Sequence, residues 1–248
     1  MEGCEHHQEE EMHEQSGEDL IVIRDCKEYL LSQREWKATA DYALFHFTRS
    51  RTLSDPELFS DCTFADLFIN HKTQWGAPIP STFQLFFEDI VGTLLPPGHK
   101  LVLNVNDLYE GYFEPNELVE RVLKPNNLFY LFLEKENGEK HPSLFFECPL
   151  ELLKTVTAQA FSSSLIDIDG FVMAKPNGEL FQSWVNEGNT DVMFRELVRA
   201  VHMAFAVWGD HNGLFFVTDK LDISELRSLI ESSGVEKQIR QYLASEKQ

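Results

Sequence analysis

Residues 128–148, LFYLFLEKENGEKHPSLFFEC, carry the reading that decides the fold class. Leu128 to Glu134 is too continuously apolar to have a wet face, and Ser143 to Cys148 has the same character. Between them lies Glu136-Asn137-Gly138, and an Asn-Gly pair is what a two-residue hairpin turn prefers, because both turn positions need positive φ. The spacing predicts an antiparallel hairpin, followed by a helix from about Pro149 to Phe161.

Downstream, the same order is expected again. Leu165 to Ala174 reads as a strand, Pro176-Asn177-Gly178 as its turn, Glu179 to Val185 as the returning strand, and Asp191 to Trp208 as a helix. Such a recurrence fits a diverged duplication, and hairpin-plus-helix units also recur by chance in α+β folds. Gly213 to Thr218 is a last buried strand, and two helices begin near Ser224 and Val235.

Upstream, Lys100 to Val105 reads as a strand and Pro115 to Leu123 as a short helix. Ser81 caps a helix through Phe83, Leu85, Phe86, Phe87, Ile90 and Val91, apolar on nearly every face and so expected to be buried. Ser54-Asp55-Pro56-Glu57 is a helix start, with Pro tolerated in the first turn. Tyr29, Leu30, Trp36, Ala40, Leu44 and Phe47 give a helical pattern from about Lys27 to Arg49, after a short strand at Leu20 to Arg24. The expectation is an α+β protein with a mostly helical N-terminal third, then antiparallel hairpins packed against helices.

Residues 1–19 hold eight carboxylates and no Lys or Arg. Such a segment has too few apolar groups to offset an ordering cost of about 1 to 2 kcal/mol per residue, so a disordered acidic tail is expected. Residues 20–248 are expected to form one α+β unit, divisible into a helical part at 20–98 and an α/β part at 99–248. The formal charge is -20, and without the tail 33 acidic residues still face 21 basic ones. That field disfavours direct binding to nucleic acid or an anionic membrane and favours a basic protein partner.

No apolar run approaches the ~20 residues of a membrane span. The N-terminus is acidic where a signal peptide would be basic and then apolar. A cytoplasmic protein is expected. Cys4, Cys26, Cys62 and Cys148 stand singly, with no C-x-x-C spacing, and read as reduced thiols.

The chain offers few constellations with chemistry, and no catalytic residue and no cofactor is assigned. His6, His7 and His13, with Cys4, are metal-ligating types in the tail, but their spacing is not that of a closed structural site. Arg195, Arg199 and His202 are spaced i, i+4, i+7 and would share one face of the helix expected over 191–208. Arginines in line suit a phosphate or carboxylate, and with 41 acids competing for 21 bases the expected partners are the chain's own Asp and Glu.

Leu165-Ile166-Asp167-Ile168-Asp169-Gly170 resembles the nucleophile motif of the haloacid-dehalogenase phosphatases, although Phe171, Val172 and Met173 continue a strand where that family's loop opens. A second partial resemblance is to diadenylate-cyclase domains and their degenerate sensor relatives. Asp169-Gly170-Phe171 would open a hairpin, Arg195, Arg199 and His202 would supply the basic helix, and Gly213 to Thr218 the next strand. Phe171 stands where that family has a small residue. The resemblance implies a nucleotide or small-anion sensor centred on Arg195, Arg199 and His202 beside Asp169 and Gly170. Against it stands the reading that charge alone supports, a non-enzymatic inhibitor, immunity factor or adaptor that holds a basic partner. A third reading is a mimic of nucleic-acid charge.

Overall fold

The computed structural model describes residues 20–27, 55–69, 82–107, 115–133, 143–154, 156, 166–186, 191–208 and 213–245. These residues form one eight-stranded sheet: β1 (Ile21–Asp25), β2 (Thr63–Ile69), β3 (Lys100–Asp107), β4 (Tyr130–Leu133), β5 (Ser143–Glu147), β6 (Ile166–Met173), β7 (Met203–Trp208) and β8 (Gly213–Thr218). Their order is β1-β2-β8-β7-β6-β3-β5-β4, and every pairing is antiparallel. The helices are α1 (Thr82–Leu94), α2 (Pro115–Leu118, continued by a wider turn over Val119–Leu123), α3 (Gly178–Asn186), α4 (Asp191–Ala200), α5 (Ile223–Ser233) and α6 (Val235–Ser245).

Alternation along the strands divides the apolar residues between two faces. One face carries Leu101, Leu103, Leu144, Phe146, Phe205 and Phe216 under α1, α5 and α6, which contribute Phe87, Ile90, Val91, Leu226, Ile230, Val235 and Ile239. The other carries Val102, Phe145, Phe171, Phe215 and Val217 under α3 and α4, through Phe181, Trp184, Phe194, Leu197 and Val198. Both faces of the inner strands are covered, which is why those strands read as nearly continuous apolar runs.

The expectation of a mostly helical N-terminal third followed by hairpins is overturned. Among the described residues, β1 and β2 are the first two strands of the sheet, and helices concentrate toward the C-terminus. Thr63–Ile69 is buried at Phe64, Ala65, Leu67 and Ile69, so both faces are used and no clean two-residue alternation marks it as a strand. The helix expected over 27–49 and the disordered tail expected at 1–19 lie outside the described residues.

Two further elements differ from expectation for local reasons. The Asn177-Gly178 pair turns no hairpin, because Asn177 Oδ1 accepts the Leu180 amide at 3.2 Å and caps α3, with Gly178 as its first residue. Phe181 and Trp184, three residues apart, then bury one helix face completely. The helix expected to run from Asp191 to Trp208 stops at Ala200, and Met203 to Trp208 is β7. The strand, Asn-Gly, strand, helix recurrence therefore does not exist.

The first hairpin strands stand as expected, with Tyr130 opposite Phe146 and Leu133 opposite Ser143. Strand β3, helix α2, strand β8 and the starts of α1, α5 and α6 also fall close to their sequence positions. Helix α1 is less buried than its composition implies, since Leu85 is 44% exposed. Because the pairs are antiparallel, β1, β5, β6 and β8 begin, and β2, β3, β4 and β7 end, at one and the same end of the sheet.

Candidate functional site

Helix α4 places Arg195 at its middle, and the side chain is 3% exposed. Its Nη2 donates to Asp61 Oδ2 at 2.5 Å, and its Nη1 donates to Asp219 Oδ2 at 3.2 Å and to Cys62 Sγ at 2.8 Å. Asp61 and Cys62 immediately precede β2, and Asp219 immediately follows β8, so one guanidinium ties α4 to two neighbouring strands at their shared end. Lys220 Nζ shares Asp219 at 2.6 Å. Burial pushes the Cys62 thiol up to about 12 against the opposing pull of Arg195, so the sulfur accepts as a neutral thiol.

The other two residues of the basic stripe lie elsewhere. Arg199 is exposed one turn beyond Arg195, while His202 lies past the helix and stands between α4 and β7. There the His202 amide donates to Val172 O at 2.6 Å and Thr218 Oγ1 donates to the His202 carbonyl at 2.6 Å, joining β6 and β8 on either side of β7. The imidazole lies against His99, and burial together with His99 and Lys220 holds its pKa below the ordinary 6.5. His99 Nδ1 is buried without a hydrogen-bond partner.

Asp169 and Gly170 open no hairpin; they are interior residues of β6, paired on one side with β3 and on the other with β7. Asp169 is 1% exposed, and its Oδ2 accepts from Asn104 Nδ2 at 3.3 Å across the β3–β6 register. Asn104 is fully buried, and its Oδ1 has no partner. Gly170 points to the opposite face, where an added Cβ would fall 2.0 Å from the Phe205 ring. The structure thus separates the residues of the sensor reading: Arg195 is engaged where β2 begins and β8 ends, and Asp169 sits in the interior of β6 with Asn104.

Reading by motif missed Asn104, His99 and Cys62. One signal was present: LVLNVND at 101–107 interrupts an apolar strand with asparagines two residues apart, placing both on the same face. His6, His7 and His13 lie outside the described residues, and among those described no group of three or more His, Cys, Asp or Glu side chains could hold a metal ion. No described helix is long and apolar enough to cross a membrane.

Among the described residues, strand β4 forms one margin of the sheet and carries Tyr130 and Phe132, 38% and 39% exposed. The opposite margin, β1, has Arg24 and Asp25 exposed on its strand. No family model matches the chain, and neither a curated protein nor a solved structure matches it.

Proposed function

We propose that this chain is a non-enzymatic interaction protein of the cytoplasm, of the inhibitor, immunity or adaptor kind, which holds a basic partner through its negative field. One observation carries the reading: among the described residues, six bases are paired within the chain. Lys100, Arg121, Lys124, Arg195, Lys220 and Arg240 each pair with a carboxylate of the same chain. In residues 20–248, 33 acids face 21 bases, so the field offered to a partner is net negative.

Capture with the full chain at about 50 mM and about 500 mM salt tests this, because screening shortens from roughly 14 Å to roughly 4 Å over that range. The expected result is a saturable partner of basic isoelectric point whose affinity falls at least tenfold. A partner that is acidic, or held equally at both salt concentrations, overturns the proposal.

A second reading, a small-anion or nucleotide sensor, is favoured by the end of α4, where the exposed Arg199 lies next to Lys220, whose Nζ donates to the Arg199 carbonyl and also pairs with Asp219. It shifts the seat away from the engaged Arg195. A thermal shift with nucleotides that disappears in an Arg199→Ala, Lys220→Ala variant supports it, and a flat response to nucleotides removes it.

A further inference from the structure

A sheet margin is a row of backbone groups without a strand to pair with, and soluble proteins protect it with charge, proline, bulges or cover. The two margins of this sheet are treated differently. On β1 the exposed residues are Arg24 and Asp25, and α5 packs against the strand. On β4, the sequence Tyr130-Leu131-Phe132-Leu133 has no charge and no proline.

The direction of the β4 backbone follows from one bond. Glu147 N donates to Phe129 O at 2.9 Å, so the polar groups of Phe129, and by alternation those of Leu131 and Leu133, point inward to β5. Those of Tyr130 and Phe132 point outward. These are the same two residues whose rings are 38% and 39% exposed, two positions apart and therefore on one face. Outward N–H and C=O groups beside two exposed aromatics are what an added strand requires: a ladder for its backbone and a platform for alternate side chains.

We propose that the β4 margin receives an extended, basic strand from a partner protein, aligned along Tyr130–Leu133. This rests on the reading above for the sign of the partner's charge and adds where and how it docks. The occupant is argued from charge. A second copy of this chain would bring two fields of the same sign together. Lys124, which lies within electrostatic reach of Tyr130, is already tied to Glu120 and so does not stand as a free cation against a basic strand.

The test uses the full chain and a synthetic ten-residue peptide of alternating Lys and Val. Its controls are the same peptide with alternate amides N-methylated, so that it cannot extend a ladder, and a version with Glu in place of Lys. Fluorescence anisotropy at low salt is expected to show the Lys-Val peptide binding at least tenfold more tightly than either control. Tyr130→Lys with Phe132→Lys, at exposed positions, is expected to abolish that preference while leaving the melting temperature unchanged.

Equal binding of the N-methylated peptide, or full binding by the double variant, overturns the β4 proposal and leaves the basic-partner reading standing. Equal binding of the Glu peptide overturns the basic-partner reading and leaves the ladder. Self-association in sedimentation that the double variant removes, without peptide binding, assigns the margin to a second copy and overturns the proposal.

Discussion

His99 and His202 meet edge to face, their ring centroids 5.3 Å apart at an interplanar angle of 61°. The contact sits where the chain passes from α4 into β7, beside Lys220, whose partner Asp219 is also held by Arg195. A proton on His202 is disfavoured by burial, by His99 and by Lys220, which lowers its pKa in the folded state. The folded protein therefore binds fewer protons here than the unfolded chain. Stability is fully present above the ordinary 6.5 and is lost as pH falls through it toward the depressed folded value. Thermal melts from about pH 7.5 to about pH 5.5 should show His202→Gln losing less melting temperature than the native chain. Parallel curves would contradict this.

Removing Arg195 leaves Asp219, only 9% exposed, with Lys220 as its remaining ion-pair partner, and opens a gap under α4. Arg195→Ala should cost about 3 kcal/mol, the usual scale for breaking one partner out of a buried pair. Asp61 is 65% exposed, so Asp61→Asn should cost under about 1 kcal/mol. Urea unfolding of the two variants measures the contrast, and equal losses would show that the guanidinium is not held mainly through its buried side.

Gly170 has no room for a side chain because the Phe205 ring occupies the place of its Cβ, and that ring is itself 1% exposed in the packed face under α1. Gly170→Ala should destabilise by about 2 kcal/mol or more, the scale of overpacking in a rigid core. Pairing it with Phe205→Leu should recover part of the loss. A double variant with strictly additive costs would place the clash elsewhere.

Burial pushes the Cys26 and Cys62 thiols up to about 12 and raises Cys148 further still. The thiolate is the reactive form. In the folded protein at neutral pH, Cys62 and Cys148 should resist iodoacetamide, while denaturant should make both react within minutes; mass spectrometry of the labelled peptides reads this directly. Rapid labelling of Cys62 without denaturant would mean that the Arg195 contact stabilises a thiolate.

Much of the sheet was legible because strands leave short apolar runs, as at the buried Gly213 to Thr218; Leu128 to Glu134 also gave its strand, but as a margin with Tyr130 and Phe132 exposed rather than one without a wet face. What misled was local chemistry with two uses. Asn-Gly suits a hairpin turn, but at 177–178 the same asparagine caps a helix. Met203-Ala204-Phe205-Ala206 has residues that helices accept readily, and no glycine or proline separates it from α4, so the break at Val201-His202 is set by pairing with β6 and β8. The arginine stripe was visible as a spacing, but its true partners, Asp61, Cys62 and Asp219, lie far away in sequence. No local pattern could name them.

The pairing of β2 with β8, in which Thr63 stands opposite Thr218, has a consequence for how the molecule is made. Synthesis delivers the β1–β2 pair early, yet among the described residues the other sheet neighbour of β2 is the last strand to emerge. Until then β2 can pack against α1 but has no strand on its far side, so completion of the sheet waits on the C-terminal segment. A nascent chain stopped short of β8 would leave one edge of β2 open, with its beginning held by α1 but not yet joined to the rest of the sheet.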